Sequence, residues 1–241
     1  MSIVVKEHPK HKLRFPSFVC DYLLREDVPK PFDRLVKGFR CIAVVGGSGS
    51  GKTSLVLSLI QDRKVLKKLF NNVIAVIPET SRRSLKKDPF EDLHESKKYE
   101  NLRDIDTIYE QLKYYSSENE TSLLLIDDCQ ADLKDTSIAN TLNKIISNRR
   151  HLKVSVIILL QVFNRLPLTS RKLINVLITF RPSRREWESI SELLEYDDNT
   201  KSKIFRLCFP KEDTDAHRWV LIDVQHQKLW CGFSELLISE E

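Results

Sequence analysis

The chain has 241 residues, 41% of them hydrophobic, which is enough for one α/β domain with its own core and a modest extension. Its 39 Lys and Arg residues against 34 Asp and Glu residues give a net charge of +5, a bias too small to indicate a nucleic-acid partner by itself. No apolar run approaches the ~20 residues of a membrane span, and the amino terminus has no apolar segment of the signal-peptide type, so we expect a soluble, intracellular protein.

The cysteines are few, odd in number and without a Cys-x-x-Cys pair, and several lie inside apolar runs. Disulfide frameworks and zinc sites need paired or closely spaced cysteines. The pattern therefore predicts buried thiols of a reducing compartment. The positions are Cys20, Cys41, Cys129, Cys208 and Cys231.

Residues 1–39 differ in composition from residues 40–241, which predicts an amino-terminal arm followed by one domain. The arm begins with basic residues and continues into a segment with several prolines, which is typical of irregular structure packed against a domain. A basic arm can contact DNA or a neighbouring subunit, but a solvated tail is the simpler interpretation of this composition. The basic residues are Lys6, Lys10, Lys12 and Arg14, and the prolines are Pro16, Pro29 and Pro31.

A glycine-rich loop follows the apolar run at residues 41–45, and a helical pattern follows the loop. This context fits the motif Gly-x-x-x-x-Gly-Lys-Thr, in which backbone N–H groups and a helix amino terminus surround a polyphosphate. We expect Lys52 to reach the β- and γ-phosphates of ATP and the Thr53 hydroxyl to ligate Mg²⁺. The predicted nucleotide-binding residues are Gly46, Gly47, Ser48, Gly49, Ser50, Gly51, Lys52, Thr53 and Ser54.

A second buried strand is predicted at residues 73–77, where a β-branched run ends at Pro78. A polar region follows, with a basic tetrad near the strand end and then a helical stretch from Leu102 to Tyr115. Ligands bind at this edge of open α/β sheets, so the tetrad is either a DNA contact or a charged surface loop. It consists of Arg82, Arg83, Lys86 and Lys87.

An apolar run at residues 122–126 ends in two carboxylates, Asp127 and Asp128. A continuous apolar run is typical of a buried parallel strand, and charges at its carboxyl end face the same crevice as the phosphate loop. We expect Asp127 to hold Mg²⁺ through water beside Thr53, and Asp128 to polarise the attacking water. Without the phosphate loop, the same pattern would fit an ordinary turn after a strand.

A helix is predicted from Ile138 to Asn148, followed by a buried strand at residues 154–160 that ends at Gln161. In nucleotide hydrolases with an extra strand between those of the phosphate loop and the magnesium aspartate, a polar residue here senses the γ-phosphate or orients water. The alternative is that Gln161 caps the next turn. A fifth run, residues 174–180, precedes a predicted helix that contains Trp187.

The carboxyl-terminal region, about residues 203–234, predicts an antiparallel meander at one end of the sheet. Its three predicted strands are Ile204 to Phe209, His217 to Val224 and Lys228 to Phe233.

The segment around the fourth strand resembles the genome-packaging ATPases of poxviruses and other large eukaryotic DNA viruses, with related enzymes in virophages and mobile elements. These belong to the FtsK–HerA superfamily of DNA pumps. An Arg-His-Leu stretch precedes the strand, Gln ends it, and Leu-Pro and Arg follow. The matching residues are Arg150, His151, Leu152, Gln161, Pro167 and Arg171, and the resemblance extends from about Arg40 to Pro182.

The resemblance implies a RecA-like P-loop NTPase fold, with a mostly parallel central sheet flanked by helices. It also implies Mg²⁺-dependent ATP hydrolysis, a homo-oligomeric ring, and translocation of double-stranded DNA into a preformed capsid in the host cytoplasm or virion. A capsid or portal component is then a further partner. In such rings one subunit supplies an arginine to its neighbour's nucleotide. The candidates are Arg150, Arg171 and Arg149, in that order, although each can be an ordinary surface arginine.

Two other functions remain open from the sequence. One is a DNA helicase or conjugation-type DNA pump, and the other is a non-motor, nucleotide-dependent switch. Guanine-binding switches need Asn-Lys-x-Asp, and the segment 143–146 lacks the final Asp. The signature of ABC transporters is also absent from the sequence.

Overall fold

A computed structural model describes residues 24–83, 90–211, 215 and 217–238. The strands are β1 (Cys41–Val45), β2 (Asn72–Val76), β3 (Lys98–Tyr99), β4 (Ser122–Ile126), β5 (Val154–Leu160), β6 (Val176–Phe180), β7 (Trp219–Asp223), β8 (Lys228–Cys231) and β9 (Ser234–Leu236). The helices are α1 (Lys52–Gln61), α2 (Glu79–Arg83), α3 (Ile105–Ser117), α4 (Thr136–Ser147), α5 (Leu168–Arg171), α6 (Arg184–Ser191) and α7 (Asp198–Cys208).

The nine strands found in the described residues form one sheet in the order β3-β2-β4-β5-β1-β6-β7-β8-β9. The first six in this order are parallel, and the last three join in antiparallel pairs. Strand β5 therefore lies between β1 and β4, as the interpretation of Gln161 requires. This is a RecA-like α/β fold with a mostly parallel sheet and an antiparallel carboxyl-terminal part, so the predicted fold class is confirmed.

The strands β1, β4, β5 and β6 are buried along their whole length because helices cover both faces of the sheet. Alternate residues point to opposite sides, so that Ile42 and Val44 pack with α1 while Cys41, Ala43 and Val45 pack with α3 and α4. The apolar patterns of these strands follow directly from this double burial.

The predicted helices after β3 and β4 are confirmed as α3 and α4. Side-chain caps mark the starts of α4 and α6. The carboxylate of Asp135 accepts hydrogen bonds from the N–H groups of Ser137 and Ile138, at 2.8 and 3.4 Å, at the start of α4. In α6, the Ser183 hydroxyl accepts a hydrogen bond of 3.2 Å from the N–H of Glu186. Within the described residues, no helix has the length and apolar character needed to cross a bilayer.

One predicted strand is wrong. Residues 204–209 lie at the end of helix α7, with Ile204 and Cys208 buried four residues apart and Leu207 63% exposed between them. The Asp197 carboxylate begins this helix by accepting a hydrogen bond of 2.6 Å from the N–H of Thr200. The two later predicted strands are confirmed as β7 and β8, and the third strand of the meander is β9, which the sequence did not predict.

The predicted amino-terminal arm lies partly outside the described residues, including its basic residues. The described part, residues 24–39, includes a short 3-10 helix at Phe32–Val36. Phe32, Leu35 and Val36 are buried in the core on the α1 side of the sheet. Of the cysteines within the described residues, Cys41, Cys129 and Cys208 are buried, Cys231 is partly buried, and all four are free thiols.

Candidate nucleotide-binding site

The predicted phosphate loop connects β1 to α1 at the carboxyl edge of the parallel strands. Gly46 is required by close packing, because a Cβ there would lie 2.7 Å from the Ser50 hydroxyl oxygen and 2.8 Å from the Phe180 Cβ. Gly51 has φ of +99°, which strains any other residue. The loop thus lies tightly over the ends of β1 and β6. Its residues 47–49 are exposed, and Ser54 is exposed in the first turn of α1.

Lys52 begins α1 and is 9% exposed. Its ammonium donates hydrogen bonds to the carbonyls of Gly46 and Gly47, at 2.6 and 2.9 Å. The cation therefore lies within the loop that is predicted to bind the phosphates. Burial lowers the pKa of Lys52, and the neighbouring carboxylates Asp127 and Asp128 oppose that shift. The Ser50 hydroxyl in the same loop is buried, and none of the residues that the structure describes forms a hydrogen bond with it.

Thr53 and Asp127 meet beneath the loop. The Thr53 hydroxyl donates a hydrogen bond of 2.9 Å to the Asp127 carboxylate. Asp127 is 6% exposed, and burial raises its pKa, an effect that the hydrogen bond from Thr53 reduces and the charge of Asp128 increases. A hydroxyl beside a carboxylate is an oxygen donor set of the type that Mg²⁺ prefers, so the residues present fit this ion.

Asp128 and Gln161 also meet, from the ends of adjacent strands β4 and β5. The Gln161 amide donates a hydrogen bond of 3.1 Å to the Asp128 carboxylate. Asp128 has φ of +55°, a conformation that Asp tolerates better than most residues. A cavity of about 290 Å³ brings together Lys52, Thr53, Asp127, Asp128 and Gln161.

His217 is a neighbour of the loop that the sequence did not single out. Its Nδ1 lies 3.0 Å from the Ser50 carbonyl oxygen and 3.0 Å from the position of a Cβ on Gly51. It lies just before β7, whose antiparallel pairing with β6 returns the chain to this edge. Only knowledge of that pairing could have placed His217 here.

The candidate arginines lie in different places. Arg171, at the end of α5, donates a hydrogen bond of 3.0 Å to the Asn164 side chain and lies 5.6 Å from the Phe163 ring centroid. Arg149 and Arg150 precede β5 and so lie at the opposite edge of the sheet from the phosphate loop. That one of them serves a neighbouring subunit stays a prediction.

Only part of the basic tetrad lies within the described residues. Lys86 and Lys87 lie outside the described residues, and so does the side chain of Arg83. Arg82 lies in α2 and is partly buried, and within the described part of the chain its buried Nε has no hydrogen-bond partner. The tetrad therefore stays a prediction as a DNA contact.

The fold and this site define a P-loop nucleoside triphosphatase of the RecA-like type, in which a strand separates the phosphate-loop strand from the acidic strand. Residues 31–225 match the model of the family described as Poxvirus A32 protein. The chain belongs to this family, as its resemblance to poxvirus enzymes predicts. No match to the chain is found among curated protein sequences.

Solved structures with the same fold include a viral packaging enzyme. The genome packaging NTPase B204 of Sulfolobus turreted icosahedral virus 2, in complex with AMPPCP, is 17% identical with a TM-score of 0.56 and covers 79% of this chain and 95% of its own. Its complex with AMP gives a TM-score of 0.58 at 17% identity, covering 80% and 96%. EssC (ATPases 2 and 3) of Geobacillus thermodenitrificans is 14% identical with a TM-score of 0.51, covering 76% of this chain and 37% of its own.

Proposed function

We propose that the chain is a Mg²⁺-dependent ATPase that translocates double-stranded DNA, packaging a viral genome into a preformed capsid. The observation that carries the proposal is the meeting of the Lys52 loop, the Thr53–Asp127 pair and the Asp128–Gln161 pair at one cavity. Membership of the Poxvirus A32 family and a fold shared with a genome packaging NTPase support the biological role.

Nucleotide binding follows from the loop. Its backbone N–H groups and the amino terminus of α1 provide positive partial charges, and Lys52 can exchange its two carbonyl acceptors for phosphate oxygens. Thr53, and Asp127 through water, would hold Mg²⁺, which neutralises negative charge on the phosphate oxygens when bound. The buried Ser50 hydroxyl supplies one more donor within the loop.

Hydrolysis requires a water aligned with the γ-phosphate. Asp128 is the candidate base because its carboxylate is exposed to the cavity. Its oxygen accepts a hydrogen bond from Gln161, which fixes the orientation of the carboxylate. Asp128 polarises the water as the P–O bond to ADP breaks, and a proton passes to the carboxylate as phosphate forms.

Coupling to DNA and assembly into a ring belong to the same proposal. They are tested by the ATPase rate of the purified protein with and without double-stranded DNA, alongside its mass in solution with a non-hydrolysable ATP analogue. We expect DNA to increase turnover and the analogue to favour a homo-oligomer. Turnover that DNA does not affect, in a protein that stays monomeric, would contradict the proposal.

A further inference from the structure

A second cavity lies at the edge of the sheet opposite the phosphate loop, beside the residues that precede β1, β5 and β6. We call it the basal cavity. It measures about 400 Å³, and its lining includes the cations of Lys37, Arg40, Arg149 and Arg150 and the amides of Asn175 and Gln225. None of the described residues that line it is acidic.

Hydrogen bonds to the chain hold two of these guanidinium groups in place. The Arg149 side chain donates to the Phe39 carbonyl at 3.1 Å and to the Ile146 carbonyl at 2.9 Å. Arg40 donates a hydrogen bond of 2.6 Å to the Gln225 side chain, while its Nε is buried and has no hydrogen-bond partner among the described residues. Preorganised cations of this kind lose little conformational entropy when they bind an anion.

The carboxylate that opposes the positive charge at Arg40 has other partners as well. Burial lowers the pKa of Arg40, the charges of Arg149 and Arg34 lower it further, and Asp223 opposes them. Asp223 is itself shared with other partners, at 3.4 Å from the Arg34 guanidinium and 2.9 Å from the His226 ring. Asp33 lies 4.0 Å from the Lys37 ammonium. An anion in the basal cavity would relieve the repulsion among these cations.

We propose that the basal cavity binds phosphate groups. Guanidinium groups match pairs of phosphate oxygens, and the cavity combines two partly buried arginines with two further cations. Under the proposed function, these phosphate groups belong to double-stranded DNA. For DNA as the ligand, the proposal therefore rests on the proposed function. The second possible source is a free polyphosphate. In both cases the phosphate is bound on the edge of the sheet away from the hydrolytic site.

The test uses the double variant Lys37→Gln, Arg40→Gln. The matched control is Lys113→Gln, Lys144→Gln, which removes the same charge from exposed positions on α3 and α4. A fluorescent DNA duplex is titrated at several salt concentrations, and pyrophosphate binding is measured by calorimetry with the nucleotide site saturated by AMPPCP. Melting temperature and AMPPCP affinity report folding, and Lys37→Gln alone replaces the double variant if Arg40→Gln does not fold.

For a DNA site, duplex affinity should fall about tenfold or more in the double variant. The negative slope of log K against log salt should become shallower by about 2, because two phosphate contacts are lost. Loss of pyrophosphate binding with unchanged duplex binding would still support a phosphate site, with a free anion as its source. A variant that matches the control in both measurements would overturn the proposal. If the wild-type protein binds no duplex, the proposed function fails, and the pyrophosphate measurement still decides the nature of the cavity.

Discussion

Asp127 and Asp128 are adjacent in sequence and lie in different environments. Asp127 is buried against Thr53, whereas Asp128 is exposed to the cavity and accepts a hydrogen bond from Gln161. This difference supports the assignment of the first carboxylate to Mg²⁺ and of the second to the attacking water, because a base must reach the solvent and a ligand need not.

The first prediction concerns Asp128→Asn. Asn tolerates the positive φ and keeps the shape of the side chain, but it cannot accept a proton from water. We expect nucleotide affinity to stay within about threefold and turnover to fall by about 10² to 10⁴, the usual contribution of a general base. Single-turnover hydrolysis and AMPPCP binding measure the two quantities. Hydrolysis at the wild-type rate would show that Asp128 is not the base.

The second prediction concerns the stability of the nucleotide-free protein. Because burial raises the pKa of Asp127, this carboxylate binds its proton more tightly in the folded state, so its contribution to stability is present at low pH and lost as pH rises through the folded-state pKa. Asp127→Asn should therefore raise the melting temperature at neutral pH, by about 2–4 °C for each 1 kcal/mol gained. The gain should shrink towards pH 4.

The control for that measurement is Asp128→Asn, where the carboxylate is exposed. Its melting temperature should stay close to that of the wild type. The Asp127→Asn protein should also lose most of the extra stability that MgATP gives, since the carboxylate proposed to hold Mg²⁺ through water is removed. A lower melting temperature for Asp127→Asn at neutral pH, with MgATP stabilisation intact, would mean that Asp127 is a structural residue.

At the scale of elements, helix α7 shows how a local signal can be misread. The run at residues 204–209 is apolar enough for a strand, but Phe205 and Phe209 pack with Trp187 at ring-centroid distances of 5.6 and 6.4 Å, on one side of a helix. The signal that could have identified the helix lies upstream, in the Asp197 cap.

The third prediction tests this helix. The hydrogen bond from Thr200 lowers the pKa of Asp197, so its contribution to stability is present above the ordinary Asp pKa and is lost as pH falls through the folded-state pKa. Asp197→Ala should lower the melting temperature at pH 7, and the difference from wild type should vanish in acid. Asp198→Ala, one position later and without that role, is the control. Equal effects of the two variants would contradict the capped helix.

The sequence predicted five of the six parallel strands and the phosphate loop because these have strong local signals: buried apolar runs and a fixed glycine spacing. The two-residue strand β3 has no such run and was not predicted. The contact of Gln161 with Asp128 was also within reach, since both end neighbouring strands. The positions of His217 and of the basal cavity could not be predicted, because they depend on pairing between distant segments. Arg40 and Arg149, for instance, are brought together only when β1 pairs with β5.

At the scale of the whole molecule, the two edges of the sheet have different properties. The carboxyl edge carries the predicted nucleotide-binding residues, and the opposite edge carries the basal cavity with Arg150. An arginine there can reach a nucleotide only in a neighbouring subunit. The two roles proposed for Arg150, a trans arginine and a phosphate contact, can be measured separately. A trans arginine affects turnover even without DNA, whereas a phosphate contact affects DNA affinity.

The fourth prediction uses mixed rings. Arg150→Ala should bind ATP and assemble, with turnover reduced by about 10³ to 10⁵ if the residue acts in trans. Lys52→Ala should be inactive because the loop loses its cation for the β- and γ-phosphates. Mixing the two variants can restore junctions with one intact loop and one intact arginine, so partial recovery supports Arg150. No recovery in rings shown to be mixed, together with recovery for Arg171→Ala, would assign the role to Arg171.

The central claim is that hydrolysis at this site drives movement along double-stranded DNA, and displacement of a third strand from a DNA triplex tests it most directly. We expect ATP-dependent release of the third strand with the duplex intact, and no release by Asp128→Asn. Separation of the duplex strands would instead indicate a helicase. No displacement by wild-type protein that hydrolyses ATP and binds the triplex would contradict the motor function and favour a nucleotide-dependent switch.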